Sequence, residues 1–215
     1  MPRSRPRLLP PLADALDAHC ASLAACRRCG HESAIVPIVS QSRAPRAMLV
    51  GQAPGQTETT GGKPFAGRAG RTLFRWLERA GLDEPTARDL LYIAAITRCY
   101  PGPHPAGRGD RVPSPAERAR CADWLDAELG IIRPALVVPV GRLAIDRFLG
   151  ARPLDAVVGH EHQIEGEWGR ATAIPLPHPS GASSWVHQEG NRALLERALD
   201  LIGARLGTVG ARSVA

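Results

Sequence analysis

Four short apolar runs constrain this chain more than any other feature: residues 47–50 (AMLV), 91–96 (LYIAAI), 135–140 (ALVVPV) and 171–176 (ATAIPL). Runs that are apolar at successive positions, rather than at every second one, read as strands buried on both faces. Helical patterns lie between them. Residues 68–79 carry Leu73, Trp76 and Leu77 at helical spacing. Ser114-Pro115-Ala116-Glu117 has the form of a capping box with proline in the first turn. Residues 143–149 and 188–206 complete the set. Strands alternating with helices predict a parallel sheet covered by helices on both faces, a three-layer αβα fold. In such sheets ligands sit beyond the carboxyl ends of the strands. The loops after Val50, Ile96 and Leu176 all leave strand carboxyl ends, so they are expected to meet at one edge.

The first of these loops, residues 51–70, holds Gly51, Gly55, Gly61, Gly62, Gly67 and Gly70, stiffened by Pro54 and Pro64. Glycines at a strand-to-helix crossing let backbone N–H groups approach a ligand closely. An ordinary glycine-rich crossing has the same composition. The spacing matches neither the dinucleotide fingerprint nor the P-loop, which argues against a nucleotide cofactor. The second loop, 100–113, contains four prolines and three glycines; loops of that length inside a domain are commonly functional or disordered.

Residues 1–11 read as a disordered arm, 12–206 as one domain opening with a helix at 12–23, and 207–215 as a tail. Residues 30–46 read as loop with one short candidate strand at 35–39, and residues 150–170 as loop with a strand or two. The basic first residues lack an apolar signal core, and no run has the length of a membrane span. A cytoplasmic monomer without a membrane partner is therefore expected. The formal charge is +6, and Lys63 is the sole lysine. Arginine suits bidentate phosphate contact, so a polyanionic partner is expected.

Five cysteines in a chain without an export signal point to a metal or cluster site before disulfides. Cys26 and Cys29 form a C-x-x-C pair; Cys99 follows a strand; Cys121 lies on the inward face of the next helix. Four thiolates hold either zinc or an iron–sulfur cluster, and spacing does not choose between them. Separate buried thiols are the plain alternative, and Cys20 reads as one.

GQAPG, GGKPFAGRAG, LYIAAITRC, PSPAERARC, IIRPALVVPVGRLA and PHPSG occur in that order. The ordered set, covering roughly residues 20–205, resembles the iron–sulfur uracil-DNA glycosylases, nearest their type 4 and type 5 branches. The resemblance implies a four-stranded parallel sheet between helices, and it implies that Cys26, Cys29, Cys99 and Cys121 ligate a [4Fe–4S] cluster, with zinc the runner-up. It implies an enzyme that flips uracil out of DNA and hydrolyses its N-glycosidic bond to begin base-excision repair, with other deaminated bases as further substrates. His178 matches the histidine that donates to the departing base. Phe65 matches the aromatic that stacks on it. Gly51, Gln52, Ala53 and Gly55 supply the backbone that holds base and phosphate. Ser180, Gly181 and Ala182 match the loop that wedges into DNA.

Three departures bear on mechanism. Gln52 stands where these enzymes usually carry glutamate, so it can orient a water but not take its proton. The second branch's aspartate is absent from Gly67-Arg68-Ala69-Gly70. Ala95 stands near the asparagine that reads the uracil edge, which loosens discrimination. Asp110, in the long loop, is a candidate replacement carboxylate. His104, in the same loop, is a candidate for covalent trapping of DNA, and Arg108 and Arg111 are candidates for phosphate contact. A non-catalytic or covalently trapping DNA-binding protein and a structural four-cysteine metal protein are the rival readings.

Overall fold

The computed structural model describes residues 11–29, 35–107, 109–180 and 185–208. The expected arm, apart from Pro11, and all but the first two residues of the expected tail lie outside them. In chain order the elements are α1 (Leu12–Ala24), β1 (Ala47–Gly51), α2 (Gln56–Gly61), α3 (Arg68–Arg79), α4 (Glu84–Leu90), β2 (Leu91–Ala95), α5 (Pro115–Ile132), β3 (Leu136–Pro139), α6 (Arg142–Leu149), β4 (His162–Gly166), β5 (Gly169–Ala173) and α7 (Glu189–Leu206).

The strands form one sheet in the order β2-β1-β3-β5-β4. The first four run parallel, and β4 pairs antiparallel with β5. The expected sheet of four parallel strands is thus corrected to five strands with one antiparallel edge. The extra strand escapes a search for apolar runs because only Ile164 of His162–Gly166 is buried. It exists because Glu167 and Trp168 form a tight turn between the paired Gly166 and Gly169, the latter at φ +119°. Two short helices, α2 and α4, were also outside the sequence expectation. Each has a single buried side chain, Glu58 and Ala87, so neither has an apolar stripe. Residues 35–39 form no strand; Ile38 donates one backbone hydrogen bond to Arg98 O at 2.8 Å.

Successive strand residues feed opposite layers. Leu49, Ile93, Leu136 and Val138 pack with Leu73, Trp76 and Leu77 of α3 and Leu195, Leu199 and Ile202 of α7. Met48, Val50, Tyr92 and Val137 pack with Leu16 of α1 and Leu125 and Leu129 of α5. β1 is buried along its whole length, as expected for a central parallel strand. The chain leaves β1 toward β2 on one side and later returns to β3 on the other. That reversal opens a crevice beyond the carboxyl end of β1.

Candidate active site and cysteine cleft

The expected convergence is present. A cleft of about 490 Å³ at that crevice is lined by Gly51, Gln52, Ala53, Gly55, Phe65, Ala95, Asp110, His178 and Ser180, among others. Three loops meet there: the one that runs from the end of β1 to the start of α3, the one after β2 and the one after β5.

The first loop is built around Glu58, which is only 7% exposed. Its carboxylate accepts from Gly55 N–H at 2.9 Å and from Gly67 N–H at 3.2 Å, strapping the two ends of the loop together. The Gly55 N–H is therefore committed, and Pro54 has none. Among the described residues no backbone partner meets the N–H of Gln52 or Ala53. The carbonyls of Gly51 and Gln52 accept from Ile96 and Thr97 N–H, which fixes the peptide planes.

Phe65 sits at φ +52°, in the left-handed region that costs a non-glycine residue about 1–3 kcal/mol. Its surroundings over-determine that conformation. The Pro64 carbonyl accepts from Arg88 Nη1 at 2.9 Å and that of Phe65 from Nη2 at 3.4 Å, with Arg88 stacked 4.5 Å over Phe74. A Cβ at Gly70 would come within 1.8 Å of Phe65 O, so α3 can begin here only with glycine. The ring then lies over Gly51, whose Cβ would stand 2.9 Å from Phe65 Cζ. The outcome is an aromatic face held beside bare backbone.

His178 follows the extension of β5, where Leu176 N–H donates to Pro139 O at 2.9 Å. Burial lowers its pKa below the usual imidazole range. Ser180 N–H donates to Nδ1 at 3.2 Å, so Nδ1 carries no proton and the neutral ring bears its hydrogen on Nε2. The ring rests on Gly141, whose Cβ would lie 2.9 Å from His178 Cδ2.

Of the long-loop candidates, Asp110 reaches the cleft and His104 is not among its lining residues. His104 lies at the loop tip, with Ala106 N–H donating to Nδ1 at 3.1 Å. Arg111 is at the cleft margin but spends its guanidinium on both Glu117 oxygens, at 2.7 and 2.6 Å. Arg108, Gly181 and Ala182 lie outside the described residues.

Cys26, Cys29, Cys99 and Cys121 line a second cleft with Arg27, Arg28, Arg98, Arg120 and Trp124. Burial, then the neighbouring Cys121, Cys29 and Cys26 thiols, push Cys99 up to about 12. Among the described residues no three His, Cys, Asp or Glu side chains gather closely enough to hold one metal ion; the four thiols share a cleft without meeting at a point. Arg98 is 2% exposed and paired with the fully buried Glu128, which also accepts from Tyr92 Oη at 2.8 Å. The Arg98 Nε and Nη1 and the Trp124 Nε1, all buried, have no partner among the described residues. Buried donors without acceptors are costly, and an electron-rich sulfur cluster is a group that would satisfy them. Cys20 is apart from this set, 3.6 Å from Tyr92 Oη.

Glu58, Arg88 and Gly141 are structural contributors that sequence reasoning did not single out. A glutamate three residues after a glycine and a glycine after an apolar strand were the only local signals.

A doubly wound sheet whose switch point carries an aromatic face, free backbone N–H groups and a neutral histidine defines a pocket for a flat heterocycle able to accept hydrogen bonds. A model of the uracil DNA glycosylase superfamily matches residues 39–202, and the chain belongs to that superfamily. It is 32% identical over 151 residues to a type-4 uracil-DNA glycosylase of Thermotoga maritima, covering 70% of this chain and 73% of that protein. It is 31% identical over 176 residues to the type-4 enzyme of Archaeoglobus fulgidus, covering 78% and 82%. A type-5 uracil-DNA glycosylase of Thermus thermophilus is 35% identical over 115 residues, about half of each chain. No helix among the described residues is long and apolar enough to cross a membrane.

Proposed function

We propose that this protein is a DNA glycosylase that hydrolyses the N-glycosidic bond of uracil in DNA, and of other deaminated bases, to start base-excision repair. One observation carries the reading: His178 is a neutral imidazole whose remaining proton is fixed on Nε2, in the same cleft as Phe65 and Gln52. When the glycosidic bond breaks, negative charge develops on the base. A donor aimed at a base carbonyl stabilises that charge without having to lose a proton first. Phe65 stacks on the flipped base, and the N–H groups of Gln52 and Ala53 hold it. The Gln52 amide orients the attacking water. Ala95 offers a methyl where an amide would read the base edge, which supports tolerance of other deaminated bases.

The start of α3 opens on the cleft through Gly67, Arg68 and Ala69; a helix N-terminus favours a phosphate. Arg68, Arg71, Arg75 and Arg79 continue from there along a groove that reaches Ser180, a path for the DNA strand. Ser180 with Gly181 and Ala182 wedges into the space the base leaves. The protein works as a cytoplasmic monomer.

Cys26, Cys29, Cys99 and Cys121 would hold a [4Fe–4S] cluster. Four cysteine thiols lining one cleft are the donor set such a cluster takes. Four neighbouring arginines and three unpartnered N–H donors suit its negative charge. When bound, the cluster supplies a cross-link between α1 and the segments around Cys99 and Cys121, remote from the reacting bond.

The test is incubation of purified protein with a uracil-containing oligonucleotide, alkali treatment and a denaturing gel. A break at uracil, lost in His178→Ala, is the expected result. A uracil-preferring shift on a native gel without a break would replace this reading with that of a binding module, which the Gln52 amide favours.

A further inference from the structure

We propose that Asp110 supplies the carboxylate of the excision reaction, a role that rests on the glycosylase reading above. The cleft holds two carboxylates among its described residues, Glu58 and Asp110. Glu58 is buried, and its two oxygens accept backbone N–H groups from Gly55 and Gly67; it is consumed in holding the loop. Gln52 is an amide and takes no proton. Asp110 is exposed to the open cleft, yet its carboxylate is positioned. Its Oδ2 lies against Gly55, 2.9 Å from where a Cβ would stand. A side chain at 55 would push the carboxylate away. The Tyr100 hydroxyl is turned to the same carboxylate; burial first, then hydrogen bonding to Asp110, raise the phenol's pKa.

The backbone that carries Asp110 is tied down. Asp110 bridges to Pro103 as an antiparallel pair. His104 N–H donates to Gly109 O at 2.8 Å and Arg111 N–H to Gly102 O at 3.0 Å. The adjacent Arg111 grips Glu117 through two hydrogen bonds, and Glu117 in turn accepts from Ser114 N–H at 2.7 Å in the first turn of α5. The loop is thus a short hairpin anchored to a helix, and it delivers one carboxylate to the mouth of the base pocket.

The step balances without another reagent. The C1′–N1 bond breaks with its electron pair leaving on the base. The sugar cation that remains is stabilised by the Asp110 charge. Water bonds to C1′, passing its proton to Asp110 and then to solvent. The base anion, held by His178 Nε2–H, takes a proton from solvent.

Asp110→Asn keeps the size of the side chain and an acceptor for Tyr100 and removes the charge. We expect its single-turnover excision rate to fall about 100-fold or more, the usual contribution of a positioned acid–base group. Binding to an oligonucleotide bearing 2′-fluoro-deoxyuridine, which resists hydrolysis, should stay equal or tighten, because a negative charge beside a polyanion has gone. Gln52→Glu added to Asp110→Asn should recover part of the rate by returning a carboxylate to the same cleft. Excision by Asp110→Asn within about threefold of wild type, or a rate loss matched by an equal loss of affinity, would overturn the assignment. Wild-type protein that leaves uracil uncut would instead overturn the glycosylase reading, and this role with it.

Discussion

Replacing Gly141 by alanine tests whether the histidine works because of where the backbone holds it. Gly141 precedes α6 at φ 83°, ψ 165°, and Gly150 ends the same helix at φ 72°, ψ 175°. Both lie in a region open essentially to glycine, where another residue costs about 1–3 kcal/mol. The two differ in their neighbours. A Cβ at 141 would stand 2.9 Å from His178 Cδ2 and 3.2 Å from its Cβ, while one at 150 would meet nothing within 4 Å. Ordinary contact begins at 3.4 Å, so the ring must retreat by roughly half an ångström. It cannot swing freely, because Ser180 N–H holds Nδ1. Misplacement by 1 Å costs about 100-fold in rate, so Gly141→Ala should lose roughly 10- to 100-fold in single-turnover excision. Both variants should lose about 2–4 °C in Tm per kcal/mol of backbone strain, and both remain folded within the ~5–15 kcal/mol stability of a domain. The assay is excision rate against melting temperature for the pair. Equal excision by Gly141→Ala and wild type, or an equal loss in Gly150→Ala, would refute the positioning argument.

Glu58→Gln puts an amide NH₂ in place of one of the two carboxylate oxygens that accept from Gly55 and Gly67; it should cost about 1–3 kcal/mol, read by urea denaturation, and an unchanged midpoint would contradict the strap. Glu128→Ala strands the buried Arg98 charge and should cost about 3–5 kcal/mol, whereas replacement of both partners by apolar residues should cost less; equal losses would argue against pairing as the cause. Burial lowers the His178 pKa, so between that value and the ordinary 6.5 or so the unfolded chain holds a proton the native one does not. Stability should therefore fall as pH drops below about 6.5, less so in His178→Gln, and NMR of the imidazole should find His178 still neutral there; titration at or above 6.5 would contradict it. Cys99→Ser should remove the visible absorbance and iron content of anaerobically purified protein; retention of both would exclude Cys99 as a cluster ligand.

β1, β2 and β3 were legible because a strand buried on both faces must be apolar along its length, as they are; β5 was legible only from Ala171 onward, because Gly169 and Arg170 at its start are exposed. The capping box at Ser114 and Glu117 was legible because it is local: Glu117 N–H meets Ser114 Oγ at 3.2 Å, three residues away. β4 was legible only as a strand somewhere within 150–170 and not as a member of the sheet, because an edge strand with one buried residue has no apolar run. The cleft was foreseeable as a meeting of loops, since strand carboxyl ends share one edge of a parallel sheet. Its inner construction was not.

The amino-acid sequence by itself determined the layers, the edge on which the loops gather and the residue types that reach it. Each of these follows from period, burial and capping, which act over a few residues. Only the tertiary structure decided that Glu58 serves the loop rather than the chemistry, that Arg88 and Gly70 hold Phe65 in a strained conformation, that Ser180 sets the tautomer of His178, and that Asp110 enters the cleft while His104 does not. These depend on pairs far apart in the chain, such as Phe65 with Arg88 or Gly141 with His178, where a few tenths of an ångström decide between contact and clash. No local pattern carries that information.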